Sequence, residues 1–282
     1  MKYKKSMIVG AFVVLLGLLG PRGVDIFLRS TDMGHHIVET LSNHGIVKTP
    51  PPTRPAYILA LYQLMKDVHD VLEACHIDYW IEGGTLLGAV RHHGIIPWDD
   101  DLDVQIRDED RERFSKEAAP VFKALGYSVG NRPGKDCGFQ VQMGPKHLHL
   151  LPHEVPPPAD IYAAKEKIPG EVCICTCSKG IKFTDLFPLK KVPFGALHVW
   201  APANPIPYLT ALYGKNWATM AKRGVDHLHE KGHKQSSRTY VILRTFVPAE
   251  PFGPLVDHRK DIKAMRLNKE VSSTSSNETR SK

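Results

Sequence analysis

Tyr79-Trp-Ile-Glu-Gly-Gly-Thr-Leu-Leu-Gly-Ala-Val-Arg-His-His-Gly-Ile-Ile-Pro-Trp-Asp-Asp-Asp-Leu-Asp-Val104 is the stretch whose reading decides the fold. Tyr79-Trp80-Ile81 reads as a short buried strand. Gly83 and Gly84 come next and allow a sharp turn with close backbone approach. Thr85 to Arg91 reads as a helix with Leu86, Leu87 and Val90 on its apolar face. A Gly-Gly turn at a helix start offers free N–H groups and the positive end of the helix dipole, a combination suited to phosphate. Pro97 closes the segment after the helix, and Asp101-Leu102-Asp103-Val104 resumes a strand. Side chains alternate along a strand, so Asp101 and Asp103 share one face while Leu102 and Val104 point to the core. Asp99 has the same parity and joins them if the strand begins that early.

Four aspartates lie within residues 99–103, and such crowding repels itself unless a cation neutralises it. Hard carboxylate oxygens suit Mg²⁺ or Mn²⁺, with substrate phosphates completing the shell. The bland alternative is a solvated acidic turn holding a structural Ca²⁺. The EF-hand spacing, with its Gly at the sixth position and a later Glu, is missing here. The pattern therefore predicts a metal-dependent enzyme acting on a phosphorylated substrate. Asp101 and Asp103, with Asp99 beside them, are the expected metal ligands. Gly83, Gly84 and Thr85 are expected to cradle phosphate. Arg91 either reaches a phosphate bidentately or pairs with Glu82 or an aspartate. His92 and His93 are weaker candidates, and Trp98 is read as packing.

These residues resemble the LicD/fukutin family, whose members are phosphotransferases on a nucleotidyltransferase-type fold. The resemblance rests on Gly83 to Gly88, on Arg91, and on Ile96-Pro-Trp-Asp-Asp-Asp-Leu-Asp103. Later pieces come in the expected order. Phe183-Thr-Asp-Leu-Phe-Pro188 looks like the family's strand bearing a third carboxylate, here Asp185. Ala203 to Trp217 looks like its C-terminal helix ending in Tyr-Gly. The resemblance covers residues 57–220, and the 16-residue gap between Gly84 and Asp101 is normal for this branch. It implies an α/β (α+β) fold, a nucleotidyltransferase-like mixed sheet flanked by helices. It also implies transfer of a phospho-alcohol, such as phosphoribitol or phosphocholine, from a nucleotide diphosphate donor, CDP-linked, to a glycan hydroxyl. Asp185 would then complete the Mg²⁺ or Mn²⁺ site or take the acceptor's proton. Two rivals stay open: nucleotidyl transfer from an NTP, and a non-catalytic membrane-anchored relative that binds a glycan or a partner enzyme.

The 282-residue chain can hold a sizeable core with small appendages. Its net charge of +7 suits an anionic donor and acceptor. Basic residues are scattered, and no basic stripe interleaves with aromatics, which argues against a nucleic-acid partner. Lys2, Lys4 and Lys5 precede the apolar run Met7 to Gly20, 14 residues long. This reads as an uncleaved signal anchor with its positive end cytoplasmic, or as a cleaved signal peptide. Either way the remainder faces the lumen, and the resemblance implies the Golgi or endoplasmic reticulum, as a single-pass type II membrane protein. Cysteines number five. Cys173, Cys175 and Cys177 share one strand face with Cα spacing of roughly 6.6 Å, the outer limit for a disulfide. A disulfide to Cys137 or Cys75, reduced structural thiols, and a zinc site with His147, His149 or His153 all stay open.

The segments expected are a cytoplasmic basic end over 1–6, a signal anchor over 7–28 and a proline-rich stem over 29–56. After these come a catalytic domain over 57–222, a C-terminal extension over 223–270 and a Ser-rich disordered tail over 271–282. Residues 57–77 read as an amphipathic helix with Ile58, Leu61, Met65, Val68 and Leu72 inward and His69 and His76 solvated. Residues 108–126 read as a charged helix with Phe114, Val121, Phe122 and Leu125 inward. Residues 137–143 and 148–151 alternate like strands, Val155 to Pro158 breaks the chain, and 180–187 reads as a strand. Val192 to Trp200 reads as a hairpin and 207–217 as a helix.

Overall fold

The structure is a computed structural model and describes residues 37, 53–132, 138–143, 155–168, 170–173, 180–222, 239–241 and 253–267. The expected anchor, most of the stem, the strand expected at 148–151, Cys137, Cys175, Cys177, the zinc-site histidines and the C-terminal tail lie outside these residues. Among the described residues no helix is long and apolar enough to cross a membrane.

Helix α1 (Pro55–Ala74) opens the domain with a proline in its first turn, where the missing N–H costs nothing. Its apolar face is wider than one stripe. Ile58, Leu61, Met65, Val68 and Leu72 are buried as their spacing predicts, and Tyr57, Tyr62, Leu64 and Val71 are buried with them. A helix is apolar nearly all round only when it is covered on more than one side. Truncating one of these, Leu72→Ala for example, costs roughly 2–5 kcal/mol. His69 is not solvated as expected: its Nδ1 shares a 2.6 Å hydrogen bond with the Tyr79 hydroxyl. His76 is exposed.

Strand β1 (Tyr79–Ile81), helix α2 (Gly83–His92) and strand β2 (Leu102–Arg107) come next. A helical stretch over 108–124 begins with a tight turn, Asp108–Asp110, and includes a wide π-type turn, Phe114–Ala118. Phe114, Val121 and Phe122 are buried, as their spacing predicts. Strands β3 (Ser128–Asn131), β4 (Gly138–Gln142) and β5 (Pro158–Ile168) complete the main sheet, in the order β1-β2-β5-β4-β3. β2 and β5 run parallel, with Leu102 opposite Ala159 and Asp103 opposite Asp160, while every other neighbouring pair along this order is antiparallel. The sheet is thus mixed, as expected.

The central strand β5 is the main departure from the sequence reading. Val155 to Pro158 was expected to break the chain, yet β5 starts at Pro158 and runs to Ile168. Its first half is buried by pairing on both sides, so Ala159, Ile161, Ala163 and Ala164 read as a nearly continuous small apolar run, the pattern of a central parallel strand. Its second half pairs with β6 (Glu171–Cys173), which pairs with β7 (Ile181–Lys182). The strand expected over 180–187 ends there, and Phe183–Leu186 forms a short helix, α3. A hairpin of β8 (Lys190–Phe194) and β9 (Leu197–Ala201) packs against α1, with Phe194 5.8 Å from the Tyr62 ring. Helix α4 (Ile206–Tyr213) is shorter than the run expected to Trp217. β10 (Met220–Lys222) pairs with β11 (Thr239–Val241), and a final helix over 259–267 buries Ile262.

Residues Thr53 and Arg54 belong with the domain, not with a stem. Thr53 is buried; its N–H donates to Pro97 O at 2.7 Å and its hydroxyl to Asp99 O at 2.8 Å. Tyr57 donates to Asp100 O at 3.0 Å and Tyr62 accepts from Ile95 N at 3.2 Å. The start of α1 therefore pins the loop that carries the aspartates. Cys75 is buried and forms no disulfide among the described residues.

Candidate active site

The site forms where β1 ends, α2 begins and β2 enters the sheet. Glu82 N donates to Asp103 O at 3.0 Å, extending the β1–β2 ladder to the last residue before the glycines. The chain then turns at Gly83, whose φ is +49°. A Cβ on Gly83 would lie 2.4 Å from Asp103 Oδ2, and one on Gly84 would lie 3.1 Å from Asp99 Oδ2. Gly83 is required because its φ and the Asp103 carboxylate leave no room for a side chain, and at Gly84 a side chain would crowd Asp99.

The helix start is turned toward the chain's own carboxylate. Gly84 N donates to Asp103 Oδ2 at 3.0 Å, and Thr85 Oγ1 accepts from Asp103 N at 2.8 Å. The expected phosphate cradle at Gly83, Gly84 and Thr85 is thus corrected in part: the Gly84 amide and the Thr85 hydroxyl fix Asp103. The positive end of α2 favours a carboxylate as it would a phosphate, and the nearer anion is covalently part of the protein.

Two of the expected aspartates, Asp99 and Asp101, gather, with Asp100 between them. Asp99, Asp100 and Asp101 each present a carboxylate oxygen within 4.8 Å of one another, an arrangement able to hold a metal ion. Burial, and after it their mutual repulsion and that of Asp103, pushes the carboxyls of Asp99 and Asp101 well above the usual range. Asp103 is raised to about 6, by burial first and also by the charge of Asp160, against the stabilising Gly84 amide. A cluster that resists ionisation in the absence of a cation is chemically matched to a hard divalent one.

Asp160 is the carboxylate that the sequence reading missed. It faces Asp103 across the parallel β2–β5 pair and is buried. Its Oδ2 accepts from Arg132 Nε at 2.6 Å and its Oδ1 from Gln140 Nε2 at 2.9 Å. The Tyr162 hydroxyl bridges the pair, 3.3 Å from Asp103 Oδ1 and 3.4 Å from Asp160 Oδ2. A signal was present: Ala159-Asp160-Ile161 repeats the apolar–Asp–apolar pattern of Leu102-Asp103-Val104 just after the Pro-rich break.

Asp185, expected on a strand as the third carboxylate, lies on α3. Its Oδ1 accepts from Asn204 Nδ2 and its carbonyl from Asn204 N, each at 2.8 Å. Phe187, two residues on, sits under the Arg107 guanidinium, at the opposite end of β2 from Asp103. The negative charges that raise Asp99, Asp101 and Asp103 come from one another and from Asp100 and Asp160, and Asp185 is not among them.

Arg91 sits at the far end of α2 from the glycine turn, because a ten-residue helix separates them. Its Nη1 donates to the carbonyls of Trp217 at 2.8 Å and Met220 at 3.1 Å, so it anchors the segment after α4. It also acts electrostatically on Asp99, and burial lowers it to about 10. His92 is buried edge-on to Trp98, and burial lowers it to about 3, so it is a neutral packing residue. His93 is exposed and takes the left-handed helix cap, and its carbonyl accepts from Gly195 N at 2.7 Å. Trp98 packs on the core as expected.

Glu82 is a further carboxylate, one to which the sequence gives no metal or phosphate role. It is 5% exposed. The Tyr208 hydroxyl of α4 donates to its Oε1, while Oε2 has no hydrogen-bond partner among the described residues. Burial, then the charge of Asp103, raises it to about 8.

Residues 76–204 match the family described as LicD/FKTN/FKRP, nucleotidyltransferase domain. An uncharacterised protein of Rickettsia prowazekii is 34% identical over 243 residues, covering 82% of this chain and 85% of that one. A second rickettsial protein, from Rickettsia typhi, is 36% identical, with 61% of its own length spanned. The human ribitol 5-phosphate transferase FKRP is 40% identical over 103 residues, 35% of this chain and 21% of its own. The lipopolysaccharide cholinephosphotransferase LicD of Haemophilus influenzae is 43% identical over 56 residues, 20% of this chain and 21% of its own. The relatives of named activity are transferases, and this chain matches about a fifth of each.

Proposed function

This chain belongs to the LicD/FKTN/FKRP nucleotidyltransferase-domain family, and on that premise we propose that it is a metal-dependent phosphotransferase. The reaction is transfer of a phospho-alcohol, of the ribitol 5-phosphate or phosphocholine kind, from a CDP-linked donor to a glycan hydroxyl. The observation that carries the reading is the facing pair Asp103 and Asp160 on parallel strands, beside the clustered Asp99 and Asp101 and closed over by the Gly83-Gly84 turn.

The residues present fit a divalent ion. Carboxylates that raise one another's proton affinity in a buried site are a hard, anionic donor set suited to Mg²⁺ or Mn²⁺. Asp99, Asp101, Asp103 and Asp160 would hold it, and when bound it neutralises pyrophosphate charge and favours departure of the nucleotide. The protein's own part is preorganisation. Gly84 and Thr85 fix Asp103, Arg132 and Gln140 fix Asp160, and Tyr162 ties the two strands together. Tyr208 holds Glu82 at the floor of the site. Asp185 receives no role in this reading, since it lies on α3 with its Oδ1 accepting from Asn204, and its neighbour Phe187 packs at the opposite end of β2 from Asp103.

We place this activity on the luminal side of a Golgi or endoplasmic reticulum membrane, on the strength of the basic and apolar pattern of residues 2–20. Protease protection in microsomes, with and without detergent, tests that placement.

Turnover tests the reaction. Purified protein with Mn²⁺ or Mg²⁺, a glycan acceptor and CDP-ribitol or CDP-choline is expected to release CMP, and Asp103→Asn is not. Release of pyrophosphate from an NTP in place of CMP would establish nucleotidyl transfer instead. Absence of any metal-dependent turnover would favour a non-catalytic binding protein.

A further inference from the structure

Arg132 lies just past β3, one residue after Asn131, and its side chain is one-quarter exposed, at 25%. Among the described residues only the Nε of its side chain is hydrogen-bonded, to Asp160 Oδ2 at 2.6 Å. The guanidinium lies over the Tyr162 ring, 4.6 Å from its centroid, and that ring's hydroxyl reaches Asp103. Its two amino groups, each with two N–H donors, have no acceptor among the described residues.

Other nearby cations are committed. Arg91 donates to the Trp217 and Met220 carbonyls. Arg107 sits over Phe187 and pairs with Glu109 at the other end of β2, and Lys165 pairs with Asp108. Arg132 is thus a cation facing the carboxylate cluster with donors to spare. A guanidinium locked at one edge by a carboxylate and on one face by an aromatic ring has already lost most of its rotamer freedom. Its remaining edge is preorganised for a planar, bidentate acceptor such as a phosphoryl group.

We infer that Arg132 binds the donor's diphosphate: Asp160 and Tyr162 hold its guanidinium so that the two amino groups meet the phosphoryl oxygens of a nucleoside diphosphate-linked substrate. The inference rests on the phosphotransferase reading for the class of donor, but the contact itself is to the diphosphate and is independent of the base. An acidic site repels an anionic donor. Arg132 supplies fixed positive charge at the rim, where the donor's second phosphate distinguishes it from the monophosphate product. Preferential hold on the diphosphate also favours release of the spent nucleotide.

Calorimetric titration of the full chain with Mn²⁺ present tests this, using CDP, CMP, ADP and AMP as probes on wild type, Arg132→Gln and Arg132→Lys. The expected result is a diphosphate-over-monophosphate preference in the wild type that Arg132→Gln reduces by about ten- to a hundredfold, the size of lost charge-assisted hydrogen bonds. Arg132→Lys is expected to recover part of it as a point charge. Arg132 also orients Asp160, so any loss of metal affinity falls on CMP and CDP alike, and the ratio of their affinities at saturating Mn²⁺ isolates the phosphate contact. Equal losses for CMP and CDP at saturating Mn²⁺ would show that Arg132 acts only through Asp160 and would overturn the inference. So would the absence of any diphosphate preference in the wild type. An Arg132-dependent preference for ADP over AMP without cytidine selectivity upholds the diphosphate contact and sinks the CDP donor, so the two readings fail separately.

Discussion

Asp103 and Asp160 stand opposite each other on adjacent parallel strands, 57 positions apart in sequence, and the Tyr162 hydroxyl bridges their carboxylates. Each is oriented by its own donors, Asp103 by the start of α2 and Asp160 by Arg132 and Gln140.

Asp160→Asn should lower turnover by about a hundredfold or more, because a neutral amide weakens metal ligation and unpairs Arg132. Asp185→Asn should stay within a few-fold, since that carboxylate serves Asn204. Steady-state release of nucleotide at saturating Mn²⁺ checks both. Loss in Asp185→Asn with retention in Asp160→Asn would reverse the assignment of the third carboxylate.

Gly83→Ala combines a left-handed φ of +49° with a Cβ placed 2.4 Å from Asp103 Oδ2. The strain should cost about 1–3 kcal/mol of stability, and displacement of Asp103 should remove most activity. Urea unfolding alongside an activity assay measures the two effects. A fully active, equally stable variant would show that the turn has more room than the structure gives it.

Metal binding should strengthen with pH. Glu82 and Asp103 titrate at about 8 and about 6 in the folded protein, above their ordinary 4.5 and 3.8. Without metal the folded state therefore binds protons more tightly than the unfolded chain. Their contribution to stability is fullest at low pH and declines as pH rises through about 4 to 8. A divalent ion binds the deprotonated cluster and offsets that decline. The rise in melting temperature caused by Mn²⁺ should be small at pH 5 and larger at pH 8. A rise that is constant over this range would contradict the coupling.

Asp67→Ala tests the attachment of the C-terminal segment. Asp67 is fully buried on α1, where Tyr127 and Gln63 donate to it and His258 lies 2.9 Å away. Removing it leaves these groups unpaired and should cost about 3 kcal/mol. Because the network lies apart from the carboxylate cluster, residual folded protein should keep its Mn²⁺ affinity. Chemical denaturation and metal titration report these separately, and loss of Mn²⁺ affinity in the folded variant would tie the two regions together.

Local chemistry was legible without the fold. The Gly83-Gly84 turn, the α2 helix, the Asp101–Asp103 alternation and the apolar stripe of α1 can be read from residue spacing, because each depends on neighbours a few positions away. The family resemblance rested on the same residues. Tertiary structure alone decided which carboxylate joins them and what each donor does. Asp160 reaches Asp103 only because β2 and β5 pair in parallel across a long excursion of chain, a non-local contact that spacing does not encode. The same pairing explains why β5 begins at a proline after a Pro-rich run that reads as a break. Other long-range contacts likewise decide that the Gly84 amide meets a carboxylate, that Arg91 serves distant carbonyls, and that Arg132 holds Asp160.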